Sequence, residues 1–149
     1  MGKAFSIAEL VIVAAIIGIL AAMVMPLLHS HALEAREAAV RENLQLLRGA
    51  IELYAARHAG TAPGYESNQP GSEPTAAHFR QQTTVEDRCL LQIPVNPFNK
   101  LDRVRIILDG EAFPTEATGQ NGWIYQPATK YIRVDWPGHD KRGIRYFDY

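Results

Sequence analysis

Apolar residues dominate the start of the chain and then thin into a periodic stripe. Leu10 to Leu28 is an uncharged apolar run of 19 residues, close to the ~20 that cross a bilayer as a helix. Beyond it, Leu33, Val40, Leu44, Leu47, Ile51 and Tyr54 recur at steps of seven, four, three, four and three, which is one apolar stripe of a helix. Glu34, Arg36, Glu37, Arg41, Glu42, Arg48, Glu52 and Arg57 fill the intervals as the expected solvated face. Glu37 and Arg41 sit at i, i+4, the spacing of a favourable surface ion pair. The pattern predicts one helix from Phe5 to His58, roughly 80 Å long, with a transmembrane half and an amphipathic half. Gly60 and Pro63-Gly64 stop it, and Pro26 removes a backbone hydrogen bond inside it.

The later pattern is shorter in period. Residues 60–75 read as a loop rich in Gly, Pro and Ser. Glu73 to Leu91 reads as a second helix with Phe79, Val85, Cys89 and Leu90 turned inward. Ile93 to Asn99 is broken by two prolines. Arg103–Leu108, Trp123–Gln126 and Tyr131–Trp136 read as strands, with residues 127–130 as the turn between the last two. Ile144 to Tyr149 reads as a final edge strand. The fold class expected is α+β: a long N-terminal α-helix packed on a small antiparallel sheet. Leu101, Val104, Ile106, Trp123, Tyr125 and Ile132 are the expected core.

Composition narrows the function. The 149 residues leave room for one domain besides the N-terminal segment. A formal net charge of −1 gives no basic footprint for nucleic acid over the whole chain. The one cysteine, Cys89, cannot form an intrachain disulfide and reads as a small hydrophobe. No nucleophile elbow, phosphate-cradling glycine loop or zinc spacing is present, and no enzyme activity is expected. His29 and His31 read as interfacial polar residues, and Glu116 and Asp109 as solvated loop acids. Arg103, Arg105, Arg133, Lys141, Arg142 and Arg145, interleaved with Tyr131, Trp136, Tyr146 and Phe147, make the C-terminal third locally basic. That leaves DNA or another anionic surface as a partner to consider. A cleaved secretory signal ending near Ser30-His31-Ala32 is an alternative reading of the N-terminus. Against it, the apolar run is long for such a signal and Glu9 lies where a signal carries no acid.

Residues 3–26, KAFSIAELVIVAAIIGILAAMVMP, resemble the N-terminus of a type IV pilin or type II secretion pseudopilin. The family pattern is a short basic leader, a cleavage point, a Phe, a Glu four residues on, and an apolar helix. Phe5 and Glu9 match that spacing, and Gly18 and Pro26 fall where the family commonly carries Gly and Pro. Ala4 stands where the family's leader usually ends in Gly. Pro94-Val95-Asn96-Pro97-Phe98 is similar to a stretch that follows the second helix in pseudopilins.

The resemblance implies a pilin-like division: leader 1–4, transmembrane and filament-core helix 5–30, globular head 31–149. It implies processing between Ala4 and Phe5 by a prepilin peptidase, N-methylation of Phe5, and assembly through Phe5, Glu9, Gly18 and Pro26. Glu9 of one subunit would pair with the Phe5 amine of the next, two charges that are each costly in apolar surroundings. Ala14, Ala15, Gly18, Ala21 and Ala22 would allow close helix packing. The partners implied are copies of the chain and related pilins, inner-membrane assembly machinery and membrane lipid. The location implied is the bacterial inner membrane as a single span with a cytoplasmic N-terminus, then a periplasmic or extracellular filament. Calcium is the one ion to consider, because some pseudopilins hold it with C-terminal oxygens, here Asp135, Asp140 and Asp148. The reading apart from that family is a membrane-tethered periplasmic binding domain that does not polymerise.

Overall fold

The structure, a computed structural model, describes the backbone of residues 6–149 and the side chains of 6–22 and 31–149. The chain divides into two compact units, Met1–Arg36 and Glu37–Tyr149. Helix α1, Ile7–Arg57, contributes residues to both. Ala4 and Phe5 lie outside the described residues, and Pro26 falls within α1 without a described side chain.

The expected transmembrane half is corrected. The described apolar stretch, residues 7–22, includes Glu9 and is 16 residues long. Among the described residues no helix is long and apolar enough to cross a membrane.

In Glu37–Tyr149, three strands form one sheet in the order β1 (Val104–Ile106), β2 (Trp123–Gln126), β3 (Tyr131–Val134). The sheet is mixed, not antiparallel as expected. β2 and β3 pair antiparallel, with Tyr125 opposite Ile132, while β1 pairs parallel to β2, with Val104 opposite Trp123. The reason is the connection 107–122, long enough to return the chain to the end where β1 began, as parallel pairing requires. Residues 127–129 form a 3₁₀ turn closed by Lys130 at φ 57°. The expected edge strand 144–149 is instead a 3₁₀ turn over Tyr146–Asp148.

Both faces of the sheet are covered. On one face Trp123, Tyr125, Ile132 and Val134 pack with Val40, Leu44, Leu47 and Ile51 of α1 and with Phe79 and Ile93. The other face carries a smaller cluster of Ile107, Ile124 and Phe147, with Phe113 and Ala117 against it. Leu101 and Ile106, expected in the core, are only half-buried, and Ile107 and Ile124 take full burial instead. Leu33 is exposed at the start of the stripe. Each large side chain buried here contributes on the order of 1.5–3 kcal/mol against exposure. The polar ends of the buried aromatics find backbone partners: Trp123 Nε1 donates to the Pro94 carbonyl at 2.8 Å and the Tyr125 hydroxyl to the Pro63 carbonyl at 3.1 Å.

The second helix is shorter than expected and changes pitch. α2 covers Ala76–Arg80, with Thr75 Oγ1 accepting from the His78 N–H at its start. It continues as a π-helix over Gln81–Glu86. The wider π turn rotates later residues off the helical period, so Phe79 is buried while Val85 is 65% exposed. Just past α1, Ala59 takes φ 52°, and the Gly60 N–H donates to the Ala55 carbonyl at 2.8 Å. That is a Schellman closure with alanine, not glycine, in the left-handed position.

Candidate functional site

The N-terminal unit presents an unusual surface. Ile7, Leu10, Val11, Ile12, Ile16 and Ile17 are each more than half exposed, with Ile7 at 84%. Ala14, Ala15, Ala21, Ala22 and Gly18 are exposed too, and a Cβ on Gly18 would meet nothing within 4 Å. Apolar exposure on this scale marks a surface that something else covers.

Glu9 is bound within its own chain. The Ser6 N–H donates to Glu9 Oε2 at 2.9 Å, and Ser6 Oγ accepts from the Ala8 N–H at 3.3 Å. Ser6-Ile7-Ala8-Glu9 is therefore a capping box at the start of α1. Sequence reasoning gave Glu9 to a neighbour's amine and missed the Ser-x-x-Glu spacing that signals the cap.

Glu37 is the second acid placed differently from expectation. It is buried and accepts from the Tyr146 hydroxyl at 3.0 Å. Burial, then this bond to Glu37, pushes the Tyr146 hydroxyl up to about 12. Arg41 turns away from Glu37 to Asp140 Oδ2 at 3.2 Å and to the Tyr149 hydroxyl at 2.5 Å. The expected Glu37–Arg41 pair gives way to a clasp that ties α1 to the last residues.

The three C-terminal acids are each engaged by their own donors. Asp135 is fully buried and accepts from the backbone N–H groups of Thr118 (2.6 Å), Gly119 (2.9 Å) and Asn121 (2.9 Å), and from the Thr118 hydroxyl at 2.9 Å. Burial alone would raise its pKa, but these donors hold it below the usual carboxylate range. Asp140 is held down to about 2: burial opposes ionisation, while the Ile144 N–H, the Tyr149 hydroxyl and Arg142 outweigh it. Asp148 is lowered chiefly by its hydrogen bond to Arg145 at 2.7 Å. Among the described residues no group of three or more His, Cys, Asp or Glu is placed to hold a metal ion.

Arg133, Arg142 and Arg145 carry counter-charges. Arg133 bonds Asp148 at 2.7 Å and lies over the Tyr131 and Phe147 rings at 5.0 and 5.2 Å. Arg142 reaches Asp140 at 3.3 Å. Tyr146 and Phe147 are buried, so the aromatic interleaving seen in the sequence is mostly core, not a stacking platform.

Histidines spread across the chain. His31 pairs with Glu34 at 3.5 Å. His58 contacts Asp87 at 2.5 Å through Nε2, stacks on Tyr54 at 4.1 Å and faces Asn68 Nδ2 at 3.3 Å through Nδ1. That network joins the end of α1 to the loop after the π-helix, and the sequence held no signal for it.

Comparison with family models, with curated proteins and with solved structures finds no match.

Proposed function

We propose that the chain is a structural subunit of a type IV pilus-like or type II secretion pseudopilus filament. The observation that carries this reading is the exposed apolar surface of residues 7–22, with Glu9 its one charged residue. Copies stack these segments against one another, and small residues at Ala14, Ala15, Gly18 and Ala21 let the backbones approach. The contact is heterologous and so extends without closing. The Glu37–Tyr149 unit forms the filament surface. A prepilin peptidase cuts between Ala4 and Phe5 and methylates Phe5, and assembly machinery of the inner membrane extrudes the polymer. The location is the cell envelope: a pool at the inner membrane feeding a periplasmic or extracellular filament.

Glu9 then has two roles in sequence. In the free chain it accepts from Ser6 N–H and caps α1; in the filament its charge meets the Phe5 amine of a neighbour.

Glu9→Gln separates these roles. Glutamine completes a capping box as glutamate does but carries no charge. In the native cell, the variant is expected to accumulate at normal levels and enter filaments poorly, by immunogold electron microscopy. Full incorporation of Glu9→Gln would remove the pairing. Absence of the wild-type chain from every filament would favour a membrane-tethered binding domain that does not polymerise.

A further inference from the structure

The Glu37–Tyr149 unit carries a cavity that the filament reading does not use. It encloses about 190 Å³ and lies where the loop before β2 meets the segment after β3. Its apolar lining comes from Trp136, Pro137, Phe147 and Ala117. Trp136 is half-buried and held parallel to Phe98, interplanar angle 2° at 5.7 Å. Its ring is therefore fixed on the side that packs inward.

The polar lining divides into spent and unspent groups. Arg145 is spent: its guanidinium donates to Asp148 at 2.7 and 3.1 Å and to the Thr115 carbonyl at 3.1 Å. Glu116 and His139 also line the cavity, both exposed. Among the described residues, nothing hydrogen-bonds either side chain. Glu116 lies within the electrostatic reach of Arg145, so the rim carries both signs of charge.

We propose that this cavity binds one ring of a neutral sugar. The space is smaller than the ~300 Å³ at which drug-sized sites begin, so it takes a single ring, not a chain. An aromatic and proline lining suits the C–H face of a pyranose, while an unspent carboxylate and imidazole at the rim suit its hydroxyls. The opposed charges of Glu116 and Arg145 disfavour a strongly anionic or cationic ligand. A purely apolar ligand would leave both rim groups unpaired. The proposal is independent of the filament reading.

The test uses the full chain in a detergent without a sugar headgroup. Methyl α-glucopyranoside, methyl β-galactopyranoside and N-acetylglucosamine are titrated separately up to ~50 mM, a range that detects the weakest useful binding. Saturation-transfer NMR reads contact with the sugar, and a change in tryptophan fluorescence reads Trp136, which lines the cavity while Trp123 does not. At least one sugar is expected to bind and to shift the fluorescence. Glu116→Ala and His139→Ala, both exposed, are expected to weaken it about tenfold each with unchanged melting. Trp136→Phe is expected to abolish the fluorescence response. No transfer from any of the three sugars overturns the proposal. Binding that survives the Glu116→Ala, His139→Ala double variant, or tighter binding of sialic acid or lysine, overturns it equally.

Discussion

Replacing Asp135 by Asn keeps the shape of the side chain and removes its charge. The carboxylate lies buried beneath the 118–121 turn, with two backbone N–H groups on Oδ1, a third on Oδ2, and the Thr118 hydroxyl bridging to Oδ2 at 2.9 Å. An amide has one acceptor oxygen, so whichever way it turns, at least one backbone N–H meets an NH₂. Hydrogen bonds to a charged group contribute about 1.5–3 kcal/mol, and a stranded buried donor costs about 1–3 kcal/mol. Relief from burying a charge offsets part of this. The net expected loss is about 3 kcal/mol, a shift in melting near ~10 °C for a unit of this size. Asp148→Asn is the control: its partners are on the surface, and pairs of that kind contribute about 0–1 kcal/mol. The assay is urea unfolding of the full chain, followed by the fluorescence of Trp123 and Trp136 together. A loss below about 1 kcal/mol for Asp135→Asn would refute the claim that this carboxylate organises the turn.

Ala59→Gly removes a side chain from the left-handed backbone at φ 52° and is expected to stabilise by about 0.5–1 kcal/mol, read in the same melt. Gly122→Ala is expected to destabilise by about 1–3 kcal/mol, because a Cβ there would sit 2.3 Å from the Leu101 carbonyl oxygen. Asp135 and Asp140 are both lowered in the fold. Their stabilisation is therefore present above the ordinary carboxylate pKa of ~3.9 and is lost as pH falls toward the value of about 2 at Asp140. Melting temperature should hold near pH 5 and fall steeply below ~4. Tyr146 has the opposite sign: raised to about 12, it supports the fold below the ordinary tyrosine value of ~10 and withdraws that support as pH rises through about 12. Tyr146→Phe should remove its share of that alkaline limb, to which Tyr54 and Tyr149, both also raised to about 12, contribute.

Periodicity carried some elements and not others. β2 and the start of β3 were legible because Trp123, Tyr125, Ile132 and Val134 alternate with residues of the other face. The direction of β1 was not, since no local pattern states whether a long connection returns the chain. Ile124 and Ile107 were missed because alternation suggested one covered face, and the C-terminal turn supplies Phe147 to cover the second. Glu37 occupies a stripe position, three residues before Val40, yet its charge assigned it to solvent; its partner Tyr146 lies 109 residues away. Val85 was misplaced by a π-helical pitch that the sequence does not announce. At the candidate site, the spacing from Phe5 singles out Glu9 for a filament role, whereas the bond the structure shows follows from the nearer Ser6–Glu9 spacing. The cavity beside Trp136 joins two loops distant in sequence and had no linear signature.

In the proposed filament, residues 7–22 of one copy are covered by those of another. Because the contact is heterologous, two positions are needed: Ile16→Cys, at a half-exposed site, with a second cysteine moved in turn through Ile7, Leu10 and Ile12, in a Cys89→Ser background, expressed in the native cell and oxidised before lysis. Stacked segments predict a disulfide-linked pair of copies of this chain, lost when the assembly machinery is absent. A chain that remains monomeric under oxidation, while the introduced thiols stay reactive to a soluble thiol reagent, would contradict the proposed filament.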